Sequence, residues 1–245
     1  ILVNAKCGQV KIFAKPYTHL QSCFSQEYKA YSYVWGIPVH PGIATSEIPE
    51  WCLNVIAEKR YERFKELIGT FVVIIDEPKE HRITFITDIL GIRPMFLSKK
   101  NGRILFGSDV WNIQSSGMID GKINYDAVST WIAYGFNCTD GTLFSDLCRL
   151  PPGSVVILQD DQHTEIPYAE FEPKSQTLDA EQVSEEIHYI VTSTIKTLLA
   201  NHHRISIALS GGYDSRYLLA LSSSLTKASL ECSTVGFKEE EKIMT

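Results

Sequence analysis

Ile205-Ser206-Ile207-Ala208-Leu209-Ser210-Gly211-Gly212-Tyr213-Asp214-Ser215-Arg216 is the stretch on which the reading of this chain turns. It reads as a buried apolar strand, a glycine-rich turn and the start of a helix that runs on through Tyr217-Leu218-Leu219-Ala220-Leu221. Adjacent glycines let backbone N–H groups close round an anion with no Cβ in the way. The helix N-terminus behind them adds partial positive charge, and Ser210 and Ser215 add hydroxyl donors. A carboxylate at Asp214 repels a bare phosphate, so its role in such a turn is to hold a cation that travels with one. The pattern points to nucleotide phosphates with Mg2+; the alternative is a strand-to-helix connection that binds nothing. Neither a G-x4-G-K-[ST] loop nor a G-x-G-x-x-G turn is present.

Working outward, an amphipathic helix is expected from Asp179 to about Ala200, on Val183, Ile187, Ile190, Val191, Ile195 and Leu198. Ahead of it, Phe171-Glu172-Pro173-Lys174-Ser175-Gln176-Thr177 is polar, carries a proline and has no periodicity, as a linker does. The earlier chain is rich in strands, expected at 1–6, 10–15, 28–35, 70–76, 82–87, 94–98, 103–107, 153–159 and 163–168. Two helices interrupt them. One is expected from Glu47 to Leu67, capped by Ser46, with Pro49 in its first turn and Trp51, Val55, Ile56 and Phe64 on its apolar face. The other starts near Asn124 and stops at Gly135.

Ser210-Gly211-Gly212-Tyr213-Asp214-Ser215 resembles the S-G-G-x-D-S pyrophosphate loop of the ATP pyrophosphatase group, which includes asparagine synthetase, GMP synthetase, argininosuccinate synthetase and the tRNA thiolases. These enzymes cleave ATP between its α- and β-phosphates to activate a substrate as its adenylate. Upstream stand Gly69-Thr70-Phe71, the turn Asp88-Ile89-Leu90-Gly91-Ile92-Arg93-Pro94-Met95-Phe96, the strand end Gly107-Ser108-Asp109 and the turn Leu150-Pro151-Pro152-Gly153. In that order they resemble the amino-terminal glutaminase domain of asparagine synthetase. The resemblance runs collinearly from about Gly69 to Gly236 and implies an α/β (α+β) chain in two domains. Residues 1–170 would form an Ntn-hydrolase-like αββα sandwich of antiparallel sheets, a degenerate class II amidotransferase. Residues 178–245 would begin a parallel α/β domain of the adenine-nucleotide α-hydrolase type.

Departures from the family pattern are equally specific. The glutaminase nucleophile is an amino-terminal cysteine whose own α-amine is the base. This chain begins Ile1-Leu2-Val3-Asn4-Ala5-Lys6-Cys7-Gly8, and the alternation on either side of Gly8-Gln9 reads as a hairpin. From Cys7 to the strand at Ala30 the chain is too short for the arginine segment that grips the glutamine carboxylate. Val34-Trp35-Gly36-Ile37-Pro38-Val39 replaces the family's N-G-E-I-Y-N, Thr45-Ser46-Glu47 stands near its G-S-D, and Thr87 takes the place of an arginine. A glutaminase-like domain without glutaminase residues resembles lasso-peptide cyclases and β-lactam synthetases. The S-G-G-Y-D-S-R form also resembles asparagine-synthase-related proteins of polysaccharide gene clusters.

The resemblance therefore implies an ATP-dependent, AMP-forming amide ligase that adenylates a small-molecule or peptide carboxylate for attack by an amine or ammonia. Its cofactors would be ATP and Mg2+, and its assembly could be a homodimer. Ser210, Gly211, Gly212 and Ser215 would cradle pyrophosphate, Asp214 would hold Mg2+ through oxygen, and Leu209 would touch the nucleotide. Val235 and Gly236 match a strand whose backbone recognises adenine, and read equally well as core of a parallel strand. Arg216 can reach a phosphate or stay on the surface. No catalytic residue is assigned. In relatives a second metal-binding aspartate, a lysine and the acceptor pocket follow, so the natural chain is expected to continue past Thr245. Two other readings stay open: a glutamine-hydrolysing synthetase with its nucleophile upstream of Ile1, and a scaffold that keeps the loop without the chemistry.

Composition sets limits on all of these. With 245 residues, 44% of them hydrophobic, the chain can bury a substantial core. A net charge of −6 argues against a nonspecific nucleic-acid binder, which needs a basic surface. No run of apolar residues is long enough to span a bilayer, and no basic-then-apolar secretory signal opens the chain, although the missing Met points to a terminus elsewhere. Six cysteines without C-x-x-C spacing fit reduced thiols in a cytoplasmic protein, with neither zinc site nor disulfide framework. His202-His203 point apart with no third ligand near, and Glu239-Glu240-Glu241 reads as a solvated charge run.

Overall fold

The structure is a computed structural model that describes residues 2–6, 12–13, 19–100, 103–137, 139–160, 162–170, 179–201, 204–226 and 229–235, with backbone alone for 2–6, 12–13 and 201. Its contacts divide the chain into two units, Ile1–Glu172 and Pro173–Thr245.

The first unit is built on two antiparallel sheets. In one, six strands run in the order β11 (Gln162–Pro167), β10 (Ser154–Gln159), β6 (Arg82–Thr87), β5 (Phe71–Glu77), β4 (Ala30–Gly36), β3 (Leu20–Ser25). In the other, five run β2 (Ile12–Phe13), β1 (Leu2–Lys6), β8 (Arg103–Gly107), β7 (Phe96–Lys100), β9 (Cys148–Arg149). The hairpin expected at the start is present, with Leu2 opposite Phe13 and Val3 opposite Ile12.

Register explains why β5 is apolar at every position from Phe71 to Ile75. Phe71, Val73 and Ile75 share one face with Ala30, Val34, Ile86 and Val155, and this face packs on α1 (Ile48–Ala57) through Ile48, Cys52, Val55 and Ile56. Val72 and Ile74 face the other way, with Ile83, Phe85, Val156 and Leu158, onto Leu97, Ile104 and Phe106 of the five-stranded sheet and Met95 just ahead of its strand β7. A strand covered on both faces has no polar side to display. Beyond the second sheet, Leu105 meets Ile113 of α2 (Val110–Ser115) and Phe144 and Leu147 of the segment that leads into β9. The layers are helix, sheet, sheet, helix, as expected of the αββα class.

Local corrections accompany this agreement. The helix expected over Glu47–Leu67 ends at Ala57; Lys59 takes φ +56 and the chain continues as a 3-10 turn at Tyr61–Glu66. That turn brings Phe64 into the core, where it is fully buried, so the apolar spacing was real but the element carrying it changed. Ser46 does not cap α1: it lies inside a 3-10 turn, Thr45–Glu47, and Glu47 Oε2 accepts the Ala44 N–H at 3.2 Å. The strand β3 had no counterpart in the expected series, and β7 starts two residues later than expected, at Phe96. As expected, α3 (Tyr125–Tyr134) begins after Asn124, whose Oδ1 accepts the Ala127 N–H at 3.2 Å, and ends at Gly135 in the left-handed region.

In the second unit, α4 (Ala180–Asn201) precedes β12 (Ile205–Ala208), α5 (Tyr213–Leu225) and β13 (Leu230–Ser233). The strands pair in parallel with Ile205 opposite Leu230 and Ala208 opposite Ser233, and α5 is the crossover between them. No helix among the described residues is long and apolar enough to cross a membrane.

Candidate functional site

The turn between β12 and α5 is held at both sides. Leu209 N–H donates to the Ser233 carbonyl at 2.7 Å, and Thr234 Oγ1 donates back to the Leu209 carbonyl at 2.5 Å. The turn is thereby fastened to the carboxyl ends of the two parallel strands, where ligands bind in open α/β sheets. Gly211 has φ +78, a conformation in which a Cβ is strained. Gly212 is the N-cap of α5, extended at φ −77 and ψ 166, and offers no side-chain cap. The first N–H groups of α5 therefore have neither a helical acceptor nor a capping oxygen from Gly212, and point out of the helix start.

Ser210 and Ser215 close the turn from within. Ser215 is buried; its Oγ donates to the Gly212 carbonyl at 3.2 Å and lies 3.3 Å from Ser210 Oγ. Ser210 Oγ accepts the Gly212 N–H at a long 3.4 Å. Asp214 is exposed in the first turn of α5. Arg216 is exposed too and folds on its own turn: Nε donates to the Gly212 carbonyl at 3.3 Å and the guanidinium lies 4.6 Å from the Tyr213 ring centroid. Of the two readings of Arg216, the surface one describes this conformation.

The sequence-expected residues are thus only partly brought together. Leu209 to Ser215 form one turn. Val235 follows the end of β13 and is 99% exposed, so it is not strand core here, while Gly236 lies outside the described residues, as does Cys7. Among the described residues no three His, Cys, Asp or Glu side chains assemble to hold a metal. A lone carboxylate beside unengaged amides suits a Mg2+ whose other oxygens come from phosphate and water. The turn presents a left-handed Gly211, an uncapped helix start and one exposed acid, groups of the kind Mg·ATP would use, while both hydroxyls are bonded within the turn.

In the first unit, the turn after β6 is organised by Asp88, which is 2% exposed. Its carboxylate accepts four backbone N–H groups, from Phe71 at 3.3, Leu90 at 3.2, Ile92 at 2.9 and Arg93 at 3.1 Å. Thr87, in the place of the family's arginine, ties this turn to the Leu150–Gly153 turn: Oγ1 donates to the Pro151 carbonyl at 2.6 Å and accepts the Ser154 N–H at 3.2 Å. Arg93 is directed to the end of β4. Its Nε donates to the Thr70 carbonyl at 3.2 Å, and its guanidinium stacks 4.8 Å from the Trp35 ring. Burial lowers its pKa from the ordinary guanidinium value, against a smaller raising effect from Asp88. Gly36 beside it has φ +128, and its N–H donates to the His19 carbonyl at 2.9 Å. A Cβ on Gly36 would lie 2.2 Å from the Thr70 carbonyl oxygen, so only glycine fits. Sequence reading missed this Arg93–Trp35 closure; the signal available was a cation in the turn and an indole where the family has small polar residues.

Residues 44–169, the span that carries this turn and most of both sheets, match the glutamine amidotransferase domain family. The chain belongs to that family. Among curated relatives of this amidotransferase-family chain, asparagine synthetase [glutamine-hydrolyzing] 3 of Bacillus subtilis (strain 168) is 22% identical over 198 residues, 79% of this chain and 32% of the relative. Asparagine synthetase [glutamine-hydrolyzing] 1 of the same organism is 22% identical over 186 residues, 74% of this chain and 29% of the relative. The amidotransferase-family chain spans about a third of the length of these relatives. Among solved structures, the glutamine phosphoribosylpyrophosphate amidotransferase of B. subtilis, complexed with ADP and GMP, has TM-score 0.36 at 9% identity, over 91% of this chain and 52% of that one. A structure of the allosteric regulatory enzyme of purine biosynthesis has TM-score 0.38 at 10% identity, over 95% and 52%.

Proposed function

We propose that this chain is the amino-terminal part of an ATP-dependent, AMP-forming amide ligase of asparagine synthetase type. A carboxylate would be adenylated and then attacked by an amine or ammonia. The observation that carries the reading is the turn itself: Gly211 in the left-handed region and Gly212 as an uncapped N-cap, behind a parallel strand pair. Ser210, Gly211, Gly212 and Ser215 would hold the pyrophosphate portion, and Asp214 the Mg2+. Bound there, Mg·ATP would supply an α-phosphorus open to attack and pyrophosphate as leaving group. The chain's own part is to aim fixed N–H dipoles at the charge that develops on the phosphate oxygens.

The amidotransferase domain is proposed to have lost glutamine hydrolysis, as in lasso-peptide cyclases and β-lactam synthetases. The support is the end of β4, where the Gly36 N–H is already spent on His19 and Arg93 lies on Trp35 rather than free to grip a carboxylate. A cytoplasmic setting with reduced thiols accords with this chemistry.

Calorimetric titration of the full-length protein with Mg·ATP should show saturable uptake, with pyrophosphate released when acceptor acids are screened. Asp214→Ala should weaken uptake at least tenfold with Mg2+ present and change it little without. No saturable uptake by the intact protein would end the ligase reading. Glutamate released from glutamine would restore the glutamine-hydrolysing alternative.

A further inference from the structure

A cavity of about 570 Å3 lies within the first unit, between the five-stranded sheet, α2, α3 and the loop that follows α3. Its volume is that of a small-molecule site. Ile92, Phe96, Trp131, Phe136 and Leu143 make its walls largely apolar. The polar groups on its rim are, with one exception, committed to the rim itself. Asn137 Oδ1 accepts from Thr139 N–H at 3.0 Å and from Thr139 Oγ1 at 2.9 Å, and its amide donates to the Gly141 carbonyl. Thr142 Oγ1 accepts the Phe144 N–H at 3.1 Å and donates to the Leu147 carbonyl at 2.8 Å.

Arg149 is the exception. It stands on β9 opposite Phe96, on the sheet face turned away from the six-stranded sheet, and it is half-buried. Its guanidinium donates to the Gly91 carbonyl. Among the described residues no carboxylate pairs with it, although its backbone N–H is bound by the Asp140 carbonyl at 2.7 Å. A guanidinium has five N–H donors in a rigid fork, and one neutral carbonyl leaves most of them and the whole charge unanswered. A cation without a counter-ion beside an apolar wall is an incomplete arrangement, since buried charge is costly until paired. A planar carboxylate is its best bidentate complement.

We propose that this cavity binds a small organic acid, its carboxylate on Arg149 and its aromatic or aliphatic body against Ile92, Phe96 and Trp131. The proposal does not rest on the phosphate turn and concerns a different unit of the chain.

The full chain, titrated with 3-phenylpropionate and with its uncharged amide, distinguishes the possibilities. The Trp131 indole and Arg149 Nε resonances should shift saturably with the acid, and the amide should bind at least tenfold more weakly. Arg149→Gln should bring the acid down to the level of the amide. Because that change also removes the bond to Gly91, Trp131→Ala is the companion variant: the residue is 56% exposed, so the fold should survive. It should weaken both probes while keeping the ratio between them. Equal affinity for acid and amide, or an Arg149→Gln variant that binds the acid as before, overturns the proposal. So does concentration-dependent self-association that broadens Ile132 and Tyr134 on the outer side of α3, which would mark the apolar rim as a protein interface.

Discussion

At the scale of single residues, a buried acid in the first unit has a structural role. Asp88 accepts four N–H groups that would otherwise be stranded where the chain leaves β6. Each buried donor left without an acceptor costs on the order of 1–3 kcal/mol, partly recovered by relaxation. Asp88→Ala should therefore lower stability by about 2–4 kcal/mol in urea unfolding, and Asp88→Asn, which keeps one acceptor oxygen, by less. A loss under about 0.5 kcal/mol for the alanine variant would show that the turn holds itself without the carboxylate. Arg93 and Arg149 are two further cations near this turn with opposite circumstances. The first is laid on an indole and a carbonyl, and the second is left open to a cavity.

At the scale of elements, α3 shows how far local chemistry alone defines a helix. Only Ala127 of its ten residues is buried, so packing contributes little to its limits. Its ends are set by caps: Asn124 at the start, and at the end Gly135 with φ +77, whose N–H returns to the Trp131 carbonyl at 2.8 Å. A Cβ on Gly135 would meet nothing within 4 Å, so the demand for glycine is conformational and not steric. Gly135→Ala should accordingly cost about 1 kcal/mol in thermal or chemical unfolding, with Gly135→Asn recovering part of it. Equal stability of the alanine variant would mean that the cap does not define the helix end. The α1 segment is the opposite case. Its apolar spacing continues to Phe64, yet Lys59 breaks the helix and a 3-10 turn delivers the ring.

At the scale of the whole molecule, the first unit depends on the contact between its two sheets. Phe85 and Phe106 are both fully buried and meet edge to face, with ring centroids 4.8 Å apart. Truncation there opens a cavity that both sheets line and neither can collapse into. Phe106→Ala should remove about 3–5 kcal/mol and shift the denaturant midpoint of this unit markedly. A change below about 1 kcal/mol would argue that the sheets are not mutually dependent. The second unit is a different physical object: β12 pairs only with β13 among the described residues, and Ile205 and Ile207 are only partly covered.

What the chain declares by itself is whatever its local chemistry enforces. The glycine turn between β12 and α5 was legible as a turn because Gly211 sits at φ +78, and the central strands because a run without polar positions suits only a doubly covered strand. The helix, sheet, sheet, helix order followed from a family pattern carried by such turns. Tertiary structure alone decided three things. The strand β3 escaped notice because it is an edge whose weak alternation becomes a strand only by pairing with β4. The Arg93–Trp35 closure joins residues 58 positions apart, and no local signal pairs them. The Arg149 cavity exists because β9, α3 and the loop between them leave a cation facing apolar walls, a relation among elements that composition and periodicity do not encode.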